Sequence, residues 1–163
     1  MTAFNRRLFA FGGAASVVAM ARSAAATPTG TFAVSYSDAE WQRRLTPDQY
    51  AVLRRGKTER AGSSPLDREK RAGTFHCAGC DLALFASATK YDSGTGWPSF
   101  WHPLEGAVGT RPETFLFFRQ TEVHCSRCGG HLGHVFGDGP PPTGLRYCMN
   151  GVAMIFRPTG TNS

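Results

Sequence analysis

The chain has 163 residues, 41% of them hydrophobic and 18% charged, which is the make-up of a soluble globular protein and is enough for one domain but not two. Its formal net charge is +6, but Arg6, Arg7 and Arg22 supply half of that within the first 26 residues, where no acidic residue stands. The remaining surplus is mild, so charge gives no support to a nucleic-acid partner.

Residues 1–26 read as an export signal. Asn5-Arg6-Arg7-Leu8-Phe9 sets paired arginines before an apolar run from Phe9 to Ala21, and Ala24-Ala25-Ala26 offers small side chains to a signal peptidase. The paired arginines are similar to the twin-arginine class. An uncleaved anchor is the competing reading, but the run is short for a span of about 20 residues and is interrupted by Gly12 and Gly13. The expectation is cleavage near Ala26, a periplasmic location and no stable membrane insertion thereafter. Residues 27–36 read as a linker, 37–157 as the domain and 158–163 as a tail.

Two short helices open the domain. Ser37-Asp38-Ala39-Glu40 and Thr46-Pro47-Asp48-Gln49 are capping boxes, the second with proline at the first helical position. Gly56 ends the second helix, and the pair is expected to pack over one side of the domain without chemistry of its own. Residues 56–73 are charged and rich in helix breakers, so they are expected to wrap the surface as an irregular connection. From Thr74 onward glycine, proline and aromatic residues recur, and the runs Thr114–Phe118 and Val152–Phe156 have strand composition. The fold class is mainly antiparallel β with short N-terminal helices.

Four of the five cysteines form two Cys-x-x-Cys pairs, Cys77/Cys80 and Cys125/Cys128. Each spacing lets two thiolates of one turn face a single ion, and four thiolates close a tetrahedral Zn2+ shell, which makes the site structural. Two disulfides are the alternative in an oxidising compartment. His76 and His124 precede cysteines as rival ligands, but four thiolates suffice, and both read as solvated neighbours.

Cys148 is the odd thiol. On a strand from Arg146 to Asn150, alternation puts Arg146, Cys148 and Asn150 on one face. A guanidinium beside a thiol lowers its pKa. His131 and His134 would face opposite ways on a straight strand, and Gly129, Gly130 and Gly133 make a bulge that lets them converge. Asp138 is placed to orient Arg146 through a bidentate pair. The loop Tyr91–Trp101 presents Trp97, Phe100 and Trp101, either as an aromatic wall beside the thiol or as a small core of its own. Singly, Cys148 reads as a buried core residue and each histidine as structural; the combination points to a site.

With these pieces assembled, the sequence resembles the MsrB family of methionine-R-sulfoxide reductases. The likeness rests on Lys70–Phe75, the two cysteine pairs, Ser93-Gly94-Thr95-Gly96-Trp97-Pro98-Ser99-Phe100, His131-Leu132-Gly133-His134-Val135-Phe136, Asp138-Gly139-Pro140 and Arg146-Tyr147-Cys148-Met149-Asn150. It implies antiparallel sheets of that family's type with a structural four-cysteine zinc site. It further implies that Cys148 attacks the sulfoxide of an oxidised protein and is left as a sulfenic acid. His131 and His134 would bind and protonate the oxygen, with Asn150 in the same network. Trp97 would face the substrate methyl group beside Phe100, and Arg146 and Asp138 would hold the thiol's surroundings.

Many members carry a resolving cysteine where this chain has Thr95, so a thioredoxin-like or other external thiol must regenerate Cys148. Gly151 stands where serine is usual, with little effect expected. A non-enzymatic Zn-ribbon interaction module and a cysteine hydrolase are the competing functions.

Overall fold

The structure, a computed structural model, describes residues 32–160 apart from 116 and 117. The expected export signal and the first half of the linker lie outside the described residues. Among the described residues no helix is long and apolar enough to cross a membrane.

Helices α1 (Asp38–Arg44) and α2 (Pro47–Leu53) begin at the two capping boxes. Ser37 Oγ accepts from the Glu40 N–H at 3.3 Å, and the Glu40 carboxylate accepts from the Ser37 N–H at 3.0 Å. Thr46 and Gln49 make the same reciprocal pair. Such a cap is worth about 1 kcal/mol, which helps helices too short to persist alone. Their buried faces carry Trp41, Val52 and Leu53. Trp41 and Leu53 lie against Gly79, Leu53 lies against Gly130, and the Arg54 guanidinium donates to the Cys128 carbonyl at 3.0 Å. The helix pair therefore covers the turns that carry the four cysteines.

The remainder is two antiparallel sheets. One is ordered β2-β1-β9, from β1 (Gly73–Cys77), β2 (Ala83–Ala86) and β9 (Met154–Pro158). The other is ordered β3-β4-β8-β7-β6-β5. Its strands are β3 (Lys90–Tyr91), β4 (Ser99–Phe100), β5 (Val108–Phe115), β6 (Phe118–Cys125), β7 (His131–Phe136) and β8 (Arg146–Met149).

The core is aromatic. Phe85 stacks on Phe100 at 4.3 Å between centroids, and Phe75 meets Phe100 edge-on at 4.9 Å. Two expected strands are divided differently. Thr114–Phe118 spans the end of β5 and the start of β6, because Phe115 and Phe118 pair with each other. Val152–Phe156 begins in a 3-10 turn, Gly151–Ala153, before β9.

Candidate active site and metal cluster

The six-stranded sheet brings residues from six strands into one row. Tyr91 pairs with Ser99, Ser99 with Cys148, Cys148 with His134, His134 with Glu122 and Glu122 with Arg111. Directly opposed residues in an antiparallel ladder share a face, so this row is a band of polar side chains across one side of the sheet. The neighbouring register, Phe100 opposite Tyr147, falls on the other side. That is why Phe100, expected at the substrate, is instead fully buried in the aromatic core.

The histidines converge through a bulge. The β6–β7 register shifts between Val123 and His124, so that Gly133 opposes Val123 while His131 opposes His124. The extra residue restores His131 and His134 to one side, with ring centroids 5.3 Å apart. Gly133 is required by close approach, because a Cβ there would lie 2.1 Å from the Cys148 carbonyl oxygen.

Each imidazole is held by a carboxylate that sequence reading missed. His131 Nδ1 lies 2.8 Å from Glu122 Oε1, and Arg111 donates to the same carboxylate. Burial works to raise the Glu122 pKa, but the bonds from His131 and Arg111 outweigh it and hold the group below the usual carboxylate range. An ionised carboxylate only accepts, so Nδ1 carries the proton. The Nε2 of His131 is buried with no partner among the described residues. His134 Nε2 lies 2.7 Å from Glu113 Oε2. Alternation along the β5–β6 hairpin, Arg111-x-Glu113 against Gln120-x-Glu122, was the available signal, but it becomes legible only once the hairpin turn is placed.

A cleft of about 140 Å3 opens on the row. Trp97, His134, Phe136, Cys148 and Asn150 line it together with Thr58 and Gly133. His131 stands behind His134 and does not line the cleft. Asn150, expected to act with the histidines, is buried with both ends of its carboxamide committed to backbone. Its Nδ2 donates to the Leu132 carbonyl at 3.0 Å, and its Oδ1 accepts from the Glu59 N–H at 2.9 Å.

Glu59 is a third carboxylate that sequence reading missed. Its carboxylate accepts from the Gly151 and Val152 N–H groups at 2.6 and 2.9 Å, and its carbonyl accepts from the Trp97 indole N–H at 3.2 Å. The connection expected merely to wrap the surface therefore supplies Thr58 to the cleft and ties Trp97 to the end of β8. Gly151 leaves room here for the Ser64 side chain, whose Oγ lies 2.0 Å from where a Cβ would stand.

Arg146 and Asp138 form the bidentate pair, both contacts at 2.9 Å, and the guanidinium lies over the Phe136 ring at 4.5 Å. The expectation of a lowered Cys148 pKa is corrected. Burial pushes the thiol up, and the Arg146 charge with the Thr95, Ser99 and Arg146 hydrogen-bonding groups draws it only part of the way back.

The four paired cysteines have ligand atoms within 4.8 Å of one another. Cys77 Sγ and Cys128 Sγ are 3.7 Å apart, Cys80 Sγ and Cys125 Sγ 3.5 Å. A tetrahedron with metal–sulfur bonds of about 2.3 Å has edges of about 3.8 Å, so the spacing fits a metal ion, whereas a disulfide needs about 2.05 Å. All four are free thiols. His76 turns its Nδ1 to the Asp81 carbonyl at 3.0 Å. His124, expected in solvent, has a buried Nδ1 without a partner among the described residues and packs on Gly109 and Phe32.

Comparison with known proteins places this geometry. Residues 45–158 match the SelR domain. The chain is 54% identical over 121 residues to a peptide methionine sulfoxide reductase MsrB of Pseudomonas putida, covering 73% of this chain and 90% of that protein. It is 51% identical over 126 residues to the MsrB of Agrobacterium fabrum, covering 77% and 93%. An MsrB of Methanosarcina barkeri is also 51% identical over 126 residues, covering 77% and 89%. The SelR match takes in both cysteine turns, the cleft and both sheets, and the chain belongs to the MsrB family of methionine sulfoxide reductases.

Proposed function

We propose that the protein reduces the R epimer of protein-bound methionine sulfoxide to methionine, with Cys148 taking the oxygen as a sulfenic acid. The observation that carries this reading is the placement of Cys148 directly opposite His134 in the wall of one small cleft that also holds Trp97. In net terms, oxygen passes from the substrate sulfur to Sγ, the substrate sulfur is reduced by two electrons and Cys148 is oxidised by two. The proton lost from the thiol ends on the transferred oxygen, so none is consumed.

Burial disfavours the free thiolate, so the thiol needs a base, and His134, directly opposite it, is the base at hand. As the S–O bond breaks, His134 serves the developing oxyanion, and His131, held by Glu122, braces the His134 ring from behind. Trp97 packs against the substrate methyl group. Asn150 and Glu59 position this wall, and Arg146 with Asp138 shapes the other side of the thiol.

Cys77, Cys80, Cys125 and Cys128 would hold Zn2+, which when bound supplies structural cross-linking between the two turns. The protein acts after export, and an external thiol regenerates Cys148, since Thr95 offers no second sulfur. Purified protein with dithiothreitol should reduce the R but not the S epimer of a peptidyl methionine sulfoxide, and Cys148→Ser should abolish turnover. Equal rates on both epimers, or activity surviving in Cys148→Ser, would overturn the reading. For export, protein recovered from the periplasm should begin at Thr27; full-length protein confined to the cytosol would refute that part.

A further inference from the structure

The row across the six-stranded sheet gives Cys148 two unlike flanks. On the β7 side stand His134 and Glu122. On the β4 side stand Ser99 and then Tyr91, joined by the loop hydroxyls. Ser93 Oγ lies 2.8 Å from both Thr95 Oγ1 and Ser99 Oγ.

Beyond these hydroxyls is a second cavity of about 390 Å3, with Tyr91, Asp92, Ser93 and Thr95 on one wall and Asp138, Pro140 and Arg146 on the other. It shares no lining residue with the sulfoxide cleft. Thr95, joined through Ser93 to the Ser99 that stands opposite Cys148, and Arg146, two residues before Cys148 on β8, form the boundary between this groove and the thiol. The Tyr91 hydroxyl is buried there with no partner among the described residues.

We infer that this groove is the entry for the reducing thiol, opposite the cleft that receives the sulfoxide. The inference rests on the proposed reductase chemistry. Displacement at a sulfur atom keeps the entering sulfur, the attacked sulfur and the leaving group close to one line. The transferred oxygen lies on the histidine flank, so the incoming thiolate must arrive from the hydroxyl flank. Its sulfur bonds to Cys148 Sγ as the S–O bond breaks, and the oxygen leaves as water carrying its own proton and the one lost by the thiol. A second thiol attacks the mixed disulfide, Cys148 departs as a thiolate, and the two reductant sulfurs remain joined as a disulfide. Two electrons have then passed from the thiols to Cys148.

The charges in the groove select among thiols. Arg146 and Asp138 neutralise each other in their bidentate pair. Asp92 is left as the unbalanced charge, and Lys90, which also feels Asp92, turns its ammonium to the Asp67 carbonyl at 2.6 Å. The groove therefore favours neutral and cationic thiols over anionic ones.

The test separates the two half-reactions in the full chain. Mixing the reduced enzyme with a peptide sulfoxide and no thiol should release one methionine per Cys148. The sulfenic acid is then chased with cysteamine, 2-mercaptoethanol or 3-mercaptopropionate, and its survival is read by dimedone trapping. Pro140→Trp, which fills the groove, should leave the methionine burst intact and slow the thiol chase about tenfold. Asp92→Asn keeps the acceptor for the Gly94 N–H but removes the charge, and should lower the cysteamine-to-mercaptopropionate rate ratio about threefold. A chase unchanged by Pro140→Trp, or a charge preference unchanged by Asp92→Asn, overturns the groove while the burst still upholds the reductase. A missing burst in the unaltered protein overturns the reductase reading itself, and the groove with it.

Discussion

Gly133→Ala tests the closeness of β7 and β8 at the point where Cys148 faces His134. A Cβ at this position would stand 2.1 Å from the Cys148 carbonyl oxygen and 3.0 Å from the Met149 Cα. Both neighbours are backbone, so relief requires the strands to part by about 1 Å, given ordinary contact distances of about 3.5 Å. Overpacking of this kind costs about 1–3 kcal/mol, and weakening one or two ladder hydrogen bonds adds about 1 kcal/mol each. The stiffer unfolded chain returns about 0.4–1 kcal/mol. The net loss is about 2–4 kcal/mol, or about 8–15 °C in melting temperature for a domain of this size. Gly137→Ala is the control, since nothing lies within 4 Å of a Cβ there. Thermal melts followed by circular dichroism, with sulfoxide turnover measured well below the transition, give both readouts. Gly133→Ala should lose activity even where it remains folded, because the sulfur and imidazole no longer share their register. Melting within about 2 °C of the control, with full activity, would refute the reasoning.

Three further outcomes are expected. Thr95→Cys should let one equivalent of peptide sulfoxide, without added thiol, consume two titratable thiols instead of one, by joining the introduced sulfur to Cys148; a persisting dimedone adduct would show that the two sulfurs cannot meet. Glu122 is held below the ordinary carboxylate range by His131 and Arg111 against the effect of burial. Its contribution to stability is therefore full above the unfolded pKa of about 4.3 and is lost as the pH falls through the lower folded value. The destabilisation caused by Glu122→Gln should accordingly be largest near neutrality and shrink in acid, and a gap independent of pH in denaturant titrations would count against the assignment. Native mass spectrometry should find one zinc equivalent per chain, and stripping it with a chelator under reducing conditions should lower the melting temperature by about 10 °C or more; iron in the site, or no change on stripping, would contradict a structural zinc.

What was legible in the sequence was local. The capping boxes at Ser37 and Thr46 depend on side chains three residues apart, so residue identity alone determines them. The four-cysteine cluster was readable because a two-residue spacing puts both sulfurs on one turn, and the converging histidines because glycines around them invite a bulge. Cys148 stood out by counting. The carboxylates behind the histidines were invisible for the opposite reason: Glu122 and Glu113 reach His131 and His134 only through the pairing of three strands. Register also decided the fate of Phe100, since Ser99 opposite Cys148 leaves its neighbour no place except the core.

Burial reversed the sign expected for the thiol. Arg146 is near enough to lower the Cys148 pKa, but the cost of removing a charge from water depends on everything packed around it. Glu59 joins Trp97 and Asn150 to the turn after β8 across about ninety residues of chain. Sequence by itself singled out the residues proposed for the sulfur chemistry, because thiol counting and turn geometry belong to short stretches. Which of them line the cleft, which stand behind it and how burial biases their ionisation were decided only when distant strands paired, because alignment and desolvation are properties of the assembled sheet.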